Sequence, residues 1–136
     1  MTATTAPVPD VDAAVRETAD PHSSTQVAVW ASAIEAGVLA SAARHDPQLA
    51  WRGDATDEEL CALEEAGVRA QQEFVAANLG LVGAVLAPYA RGGAATGDLF
   101  QEGCLGLIAA VERFDHRRGV RFATYATYWI LSLIHI

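Results

Sequence analysis

Lysine is absent: all nine basic side chains of the 136-residue chain are arginine. Alongside abundant alanine, this reads as the imprint of a GC-rich genome and not as a choice of chemistry. Cysteine is almost as scarce. Cys61 and Cys104 are the only thiols, and neither has the nearby second cysteine or histidine that a zinc site needs, so both are expected to be free and buried. His22, His45, His116 and His135 share no metal-ligand spacing, and no nucleophile sits in a recognisable partner motif. These gaps place an enzyme last among the function classes, with no metal and no cofactor expected. No apolar run approaches the length that spans a bilayer, so no membrane association is expected. The opening MTATTAPVPDVDAA has neither the basic start nor the apolar block of a signal or transit peptide, which places the chain in the cytoplasm. Alternation with a period of two is also missing, and that leaves an all-α fold.

The length suits one domain with a real core. A formal charge of −8 argues against a nucleic-acid partner, because phosphate neutralisation supplies most non-specific affinity. Its distribution changes that argument. Met1 to Val75 holds four arginines against thirteen carboxylates, a charge of −9, whereas Ala76 to Ile136 holds five against four, a charge of +1. Residues 1–22, rich in Thr, Ala, Pro and Asp, have no apolar period and read as a disordered acidic leader. From Ser24 the pattern is helical, with Val27, Trp30, Ala31, Ile34 and Val38 on one face, and it stops before Asp46-Pro47. A loop follows to Ala55. Thr56 and Glu59 then form a capping box that should open a second helix. Leu60, Leu63, Gly67, Phe74, Leu81, Val85 and Tyr89 continue it in long stretches with one break, ended or bent by Pro88. Arg91 to Gly97 is a flexible connector; it lacks the Gly-Lys-Ser/Thr, and the preceding strand, of a phosphate-cradling loop.

Asp98 is predicted to cap the next helix, which runs to about Phe114 with Phe100, Cys104, Leu107, Val111 and Phe114 on its apolar face. Leu105 and Ile108 fall outside that face. Such a helix either sits at the centre of a bundle or offers a second face to a partner; its own pattern favours the centre. Asp115 to Gly119 reads as a turn, with Gly119 at a left-handed corner. The stretch FDHRRGVRFATYATYWI, Phe114 to Ile130, then places five aromatic residues among three arginines and a histidine. At about 100° per residue, Arg121, Phe122, Thr124, Tyr125, Tyr128 and Trp129 share one arc, with Ala123, Ala126 and Thr127 on the other side. The small side would let another backbone approach. On spacing alone the arc is either a core face with Arg121 snorkelling at its edge, or a platform for unpaired bases with Arg117, Arg118 and Arg121 on phosphates.

NLGLV (Asn78 to Val82), DLFQEGCLGLIAAVERFD (Asp98 to Asp115) and RRGVRFATYATYWI (Arg117 to Ile130) resemble, in order and spacing, region 2 of bacterial sigma-70 family sigma factors. A weaker likeness to the helices that precede region 2 runs from about Ala31 to Ala77. The resemblance divides the chain into the leader 1–22, a helical region 23–77, a region 2-like domain 78–130 and a tail 131–136. It implies a non-catalytic RNA polymerase subunit that recognises and opens promoters. By that resemblance Asp98, Gln101, Glu102 and Ile108 dock on the clamp coiled coil of the largest core subunit. Arg117, Arg118, Arg121, Phe122, Thr124, Tyr125, Tyr128 and Trp129 belong to the segment that holds the non-template single strand of the −10 element. An anti-sigma factor is a further candidate partner. Gly80, Pro88 and Ala109 stand where the family often has arginine or lysine, Cys104 where it often has asparagine, and Val120 where it often has an aromatic. LSLIHI replaces the continuation usual in the family, which suggests a truncated or chimeric reading frame. The rival readings are a helical module that docks on core polymerase without opening DNA, and a small ligand-binding bundle with the aromatics as a pocket wall.

Overall fold

The computed structural model describes residues 22–49, 52–89 and 96–134, and among them every regular element is helical, as the missing period-two pattern predicted. The acidic leader, apart from His22, and most of the glycine-rich connector lie outside the described residues. Five α-helices follow in chain order: α1 Ser24–His45, α2 Asp57–Ala77, α3 Leu79–Leu86, α4 Thr96–Arg113 and α5 Phe122–Leu133. Single 3₁₀ turns, Ala87–Tyr89 and His116–Arg118, follow α3 and precede α5.

α1 begins where Ser23 accepts a hydrogen bond from the Gln26 amide, satisfying one of the free N–H groups of the first turn. It ends with Arg44, a cation that suits the negative end of the helix dipole, and with His45, whose ring nitrogen meets the Ser41 carbonyl at 2.7 Å. α2 opens as predicted on Thr56, whose hydroxyl accepts from the Glu59 amide at 3.2 Å and also meets the Glu59 carboxylate at 3.2 Å. The two helices run antiparallel. Trp30 stacks on Phe74 at 5.0 Å, Gly37 lies against Gly67, and Arg44 pairs with Glu64 at 3.1 Å. A Cβ built on Gly37 would lie 3.0 Å from the Gly67 Cα, so two glycines facing each other set this close crossing.

α1 is also long and apolar enough to cross a membrane by length and composition, with a mean hydropathy of 1.3 over its best window, contrary to the sequence expectation. Its Val27, Trp30 and Ile34 are nevertheless buried in the core.

The break after α2 falls at Asn78, where φ is −114° and ψ 10°; Pro88 sits later, in the 3₁₀ turn beyond α3. The Asn78 side-chain amide donates to the Phe74 carbonyl at 2.9 Å, and the His22 ring meets the Ala77 carbonyl at 3.1 Å, so the freed carbonyls at the break find partners. α4 starts at Thr96, which puts Asp98 inside the first turn and not at the cap. Among the described side chains, the buried residues of α4 are Gly103, Gly106, Leu107, Ala110 and Val111; Phe100 is 40% exposed, and Cys104 and Phe114 are half-buried. The predicted face is therefore rotated toward two glycines, because their missing side chains let α3 and α5 come close. A Cβ on Gly106 would lie 2.7 Å from the Trp129 carbonyl oxygen and from the Ile130 Cα.

The core gathers Phe74, Val82, Leu107, Phe122 and Ile130, all fully or almost fully buried and drawn from every helix except α1, which adds Val27, Trp30 and Ile34. A satellite cluster of Ala40, Ala43 and Leu60 lies under the α1–α2 loop. Val38 and Leu63, predicted to face inward, are 64% and 46% exposed. Ile134 packs into the core just beyond α5.

Candidate functional site

The turn between α4 and α5 is built as its sequence predicts. The Asp115 carboxylate accepts from the Arg117 amide at 3.1 Å, and Gly119 takes φ +75°, a left-handed angle that L side chains rarely adopt. Arg121 then occupies the N-cap position of α5. The predicted division of α5 holds on its small side: Ala123, Ala126 and Thr127 are buried with Ile130, and the Thr127 hydroxyl donates to the Ala123 carbonyl at 2.7 Å.

The aromatic arc is split. Phe122 is 1% exposed and belongs to the core, so it is removed from the candidate base platform. The reason is its place at the start of α5, where Phe74 and Phe114 enclose it at ring distances of 4.4 and 5.2 Å. Thr124, Tyr125 and Trp129 are half-buried, and Tyr128 is 58% exposed. A continuous line of rings runs Trp30, Phe74, Phe122, Phe114, Tyr125, Trp129 from core to surface. Packing on Phe114 at 5.5 Å fixes one side of Tyr125, whose hydroxyl makes a long 3.5 Å contact with the Arg113 carbonyl. The Arg113 guanidinium lies 5.0 Å from the Trp129 ring centre, a cation–π distance. A cavity of about 380 Å³ opens here, lined by Arg113, Phe114, Asp115, Arg118, Val120 and Tyr125.

The three predicted phosphate ligands differ. Arg117 is engaged: its Nη2 donates to Glu35 Oε2 at 2.9 Å and to Oε1 at 3.1 Å, and its Nε donates to Asp115 at 3.1 Å. Arg118 lies 3.6 Å from Asp115 and is 82% exposed. Arg121 is exposed and forms no ion pair among the described residues. The Arg117 amide and side chain hold the Asp115 carboxyl below its usual range, while Asp115 and then Glu35 raise the Arg117 guanidinium.

On α4 the four predicted docking residues share one strip. Asp98 and Gln101 are exposed, and Glu102 and Ile108 are half-buried. Leu105 lies between them at helical spacing and is 60% exposed, more than any of the core-facing residues of that helix. In the sequence Leu105 falls off the apolar face of this helix, and that displacement is the signal of its place in the strip. Arg113 is not legible in the sequence, because one basic residue at a helix end has no distinguishing pattern and its ring partner is sixteen residues away. Burial raises the Cys104 thiol, consistent with a packing role.

Residues 74–135 match the family described as Sigma-70 region 2. The RNA polymerase principal sigma factor HrdD of Streptomyces viridifaciens is 52% identical over 101 residues, covering 74% of this chain and 30% of that protein. HrdC of Streptomyces coelicolor is 43% identical over 109 residues, covering 76% of this chain and 31% of the relative. The RNA polymerase sigma factor SigA of Microcystis aeruginosa is 48% identical over 68 residues, covering 50% of this chain and 16% of the relative. The chain thus spans less than a third of the length of these relatives, and the matched segment contains both the α4 strip and the α4–α5 site. Through residues 74–135, the chain belongs to the sigma-70 family, as a sigma region 2.

Proposed function

We propose that the chain acts as the part of a bacterial RNA polymerase sigma factor that docks on core polymerase and holds the opened non-template strand of the promoter −10 element. The carrying observation is the cavity beside Tyr125, where a partly exposed ring fixed by Phe114 faces Arg113 and Arg118 across about 380 Å³. A flipped base needs a flat apolar face, and the strand that carries it needs nearby positive charge; both are present there. Tyr128, Trp129 and Thr124 extend the platform along α5, and Arg118 and Arg121 meet phosphates. The chain need not pull the duplex apart. It binds the open form better than the closed one, with stacking worth about 1–3 kcal/mol per base.

Docking is assigned to Asp98, Gln101, Glu102 and Ile108 on α4, with Leu105 added as the apolar centre of that strip. Its occupant is the clamp coiled coil of the largest core subunit. The role is non-catalytic and is exercised in the bacterial cytoplasm, with an anti-sigma factor as a further candidate partner. The rival is a module that docks on core without opening DNA.

Fluorescence anisotropy separates the two. A labelled non-template TATAAT-like strand is compared with a scrambled one, using the chain alone, core alone and both together. Sequence-selective binding that requires chain and core is the expected result. Binding to core with no strand selectivity would leave only the docking module.

A further inference from the structure

Arg117 sits where a strand phosphate is expected, yet its guanidinium is held by two carboxylates of the chain itself. The two are not equivalent. Asp115 caps the turn by accepting the Arg117 amide, so it is part of the local backbone structure. Glu35 is 82 residues away on α1 and reaches across to Arg117 with both oxygens at 2.9 and 3.1 Å. Among the described residues it pairs with no other cation, so no turn or cap accounts for a carboxylate at this point. α1 also precedes the segment that matches region 2.

We propose that Glu35 competes with strand phosphates for Arg117, so that α1 restrains nucleic-acid binding by the region 2 site. This rests on the reading of that site as a single-strand platform. A phosphate and a carboxylate present the guanidinium with the same paired-oxygen geometry and the same sign of charge, so the two exclude each other at Nη2. The pair is breakable, since both partners are largely solvated: the side chains of Arg117 and Glu35 are 63% and 47% exposed. Locally, Arg117, Arg118 and Arg121 stand against Glu35 and Asp115, a balance of +1, and removing Glu35 raises it to +2. Glu35 also lines a cavity of about 290 Å³ with Ile34, Val38 and Leu39, two of which are exposed apolar residues. The restraining carboxylate is therefore on the surface, where phosphate can reach its partner.

The test uses the full chain with core polymerase and the labelled non-template strand, measured by anisotropy over a series of salt concentrations. Glu35→Gln keeps the side-chain shape and removes the charge. It should tighten strand binding about three- to fivefold, the size expected from removing one unit charge at roughly 5 Å in water. It should also steepen the salt dependence by about 0.7 in log–log slope, one further phosphate contact on a single strand. In an Arg117→Gln background the same substitution should show a markedly smaller gain, which is the signature of a coupled pair. Glu35→Asp, which keeps the charge but shortens its reach, should tighten binding by a smaller factor, and it serves if circular dichroism shows Glu35→Gln misfolded. Wild-type binding with no gain in either Glu35 variant overturns the proposal alone. So does a gain that persists undiminished without Arg117. No strand binding by wild type or variants overturns the strand-platform reading, and this proposal with it.

Discussion

Within one arc of six residues, burial sends neighbouring rings to different tasks. Phe122 is 1% exposed between Phe74 and Phe114, so Phe122→Ala should destabilise the fold by about 3–5 kcal/mol, read as a lowered denaturation midpoint. Tyr128, 58% exposed, should tolerate Tyr128→Ala with a stability change within about 0.5 kcal/mol while strand affinity falls. Tyr125 is the discriminating case. Tyr125→Ala is expected to weaken binding to the TATAAT-like strand and leave helicity unchanged by circular dichroism; loss of helicity instead would assign Tyr125 to the core. Asp115 supplies a pH test. Its carboxyl is held below the ordinary 3.8 by the Arg117 amide and side chain, so the folded state resists its protonation. Its contribution is therefore complete above that ordinary value and is lost as pH falls toward the lowered one. Thermal melts between pH 6 and pH 2.5 should show a steeper acid loss for wild type than for Asp115→Asn; parallel acid limbs would remove Asp115 from the balance.

Elements meet in this fold where side chains are missing. Gly106 lets α5 lie directly on α4: a methyl there would meet the Trp129 carbonyl oxygen and the Ile130 Cα at 2.7 Å, and backbone cannot turn aside. Gly103 faces side chains, with Val82 Cγ1 at 2.8 Å and Leu86 Cδ1 at 3.0 Å, which can move. Gly106→Ala should thus cost more stability than Gly103→Ala, with the former in the range of about 1–3 kcal/mol. It should also weaken strand binding, since Trp129 sits at the contact. Equal effects of the two substitutions would show that α4 and α5 can part freely. Helix existence was legible in the sequence because caps and apolar spacing are local: Thr56, Asp115 and Gly119 do what their types require. The rotation of the buried face of α4 was not legible. Phe100 and Cys104 look like core residues by hydropathy, but the closest approach is made at glycines, whose value lies in the neighbour they admit.

At the scale of the whole molecule, charge is divided between an acidic first half and a weakly basic second half, and the fold brings the two together at Glu35 and Arg117. Arg118→Gln and Arg121→Gln should each lower the salt slope of strand binding by about 0.7, the effect of one phosphate contact apiece. An unchanged slope would take that arginine off the strand path. By itself the sequence determined the all-α class, the turn before α5, and, through three spaced blocks, the sigma region 2 resemblance. All three depend on residues close together in the chain or on their order along it. Tertiary structure alone decided that Phe122 leaves the aromatic arc for the core, that Leu105 stands exposed on α4, and that Arg113 lies over Trp129. It also decided that Arg117 is already occupied by a carboxylate from another helix. The physical reason is common to these cases: exposure and pairing depend on which helices meet and at what distance, and helical spacing carries no record of the partner across the interface.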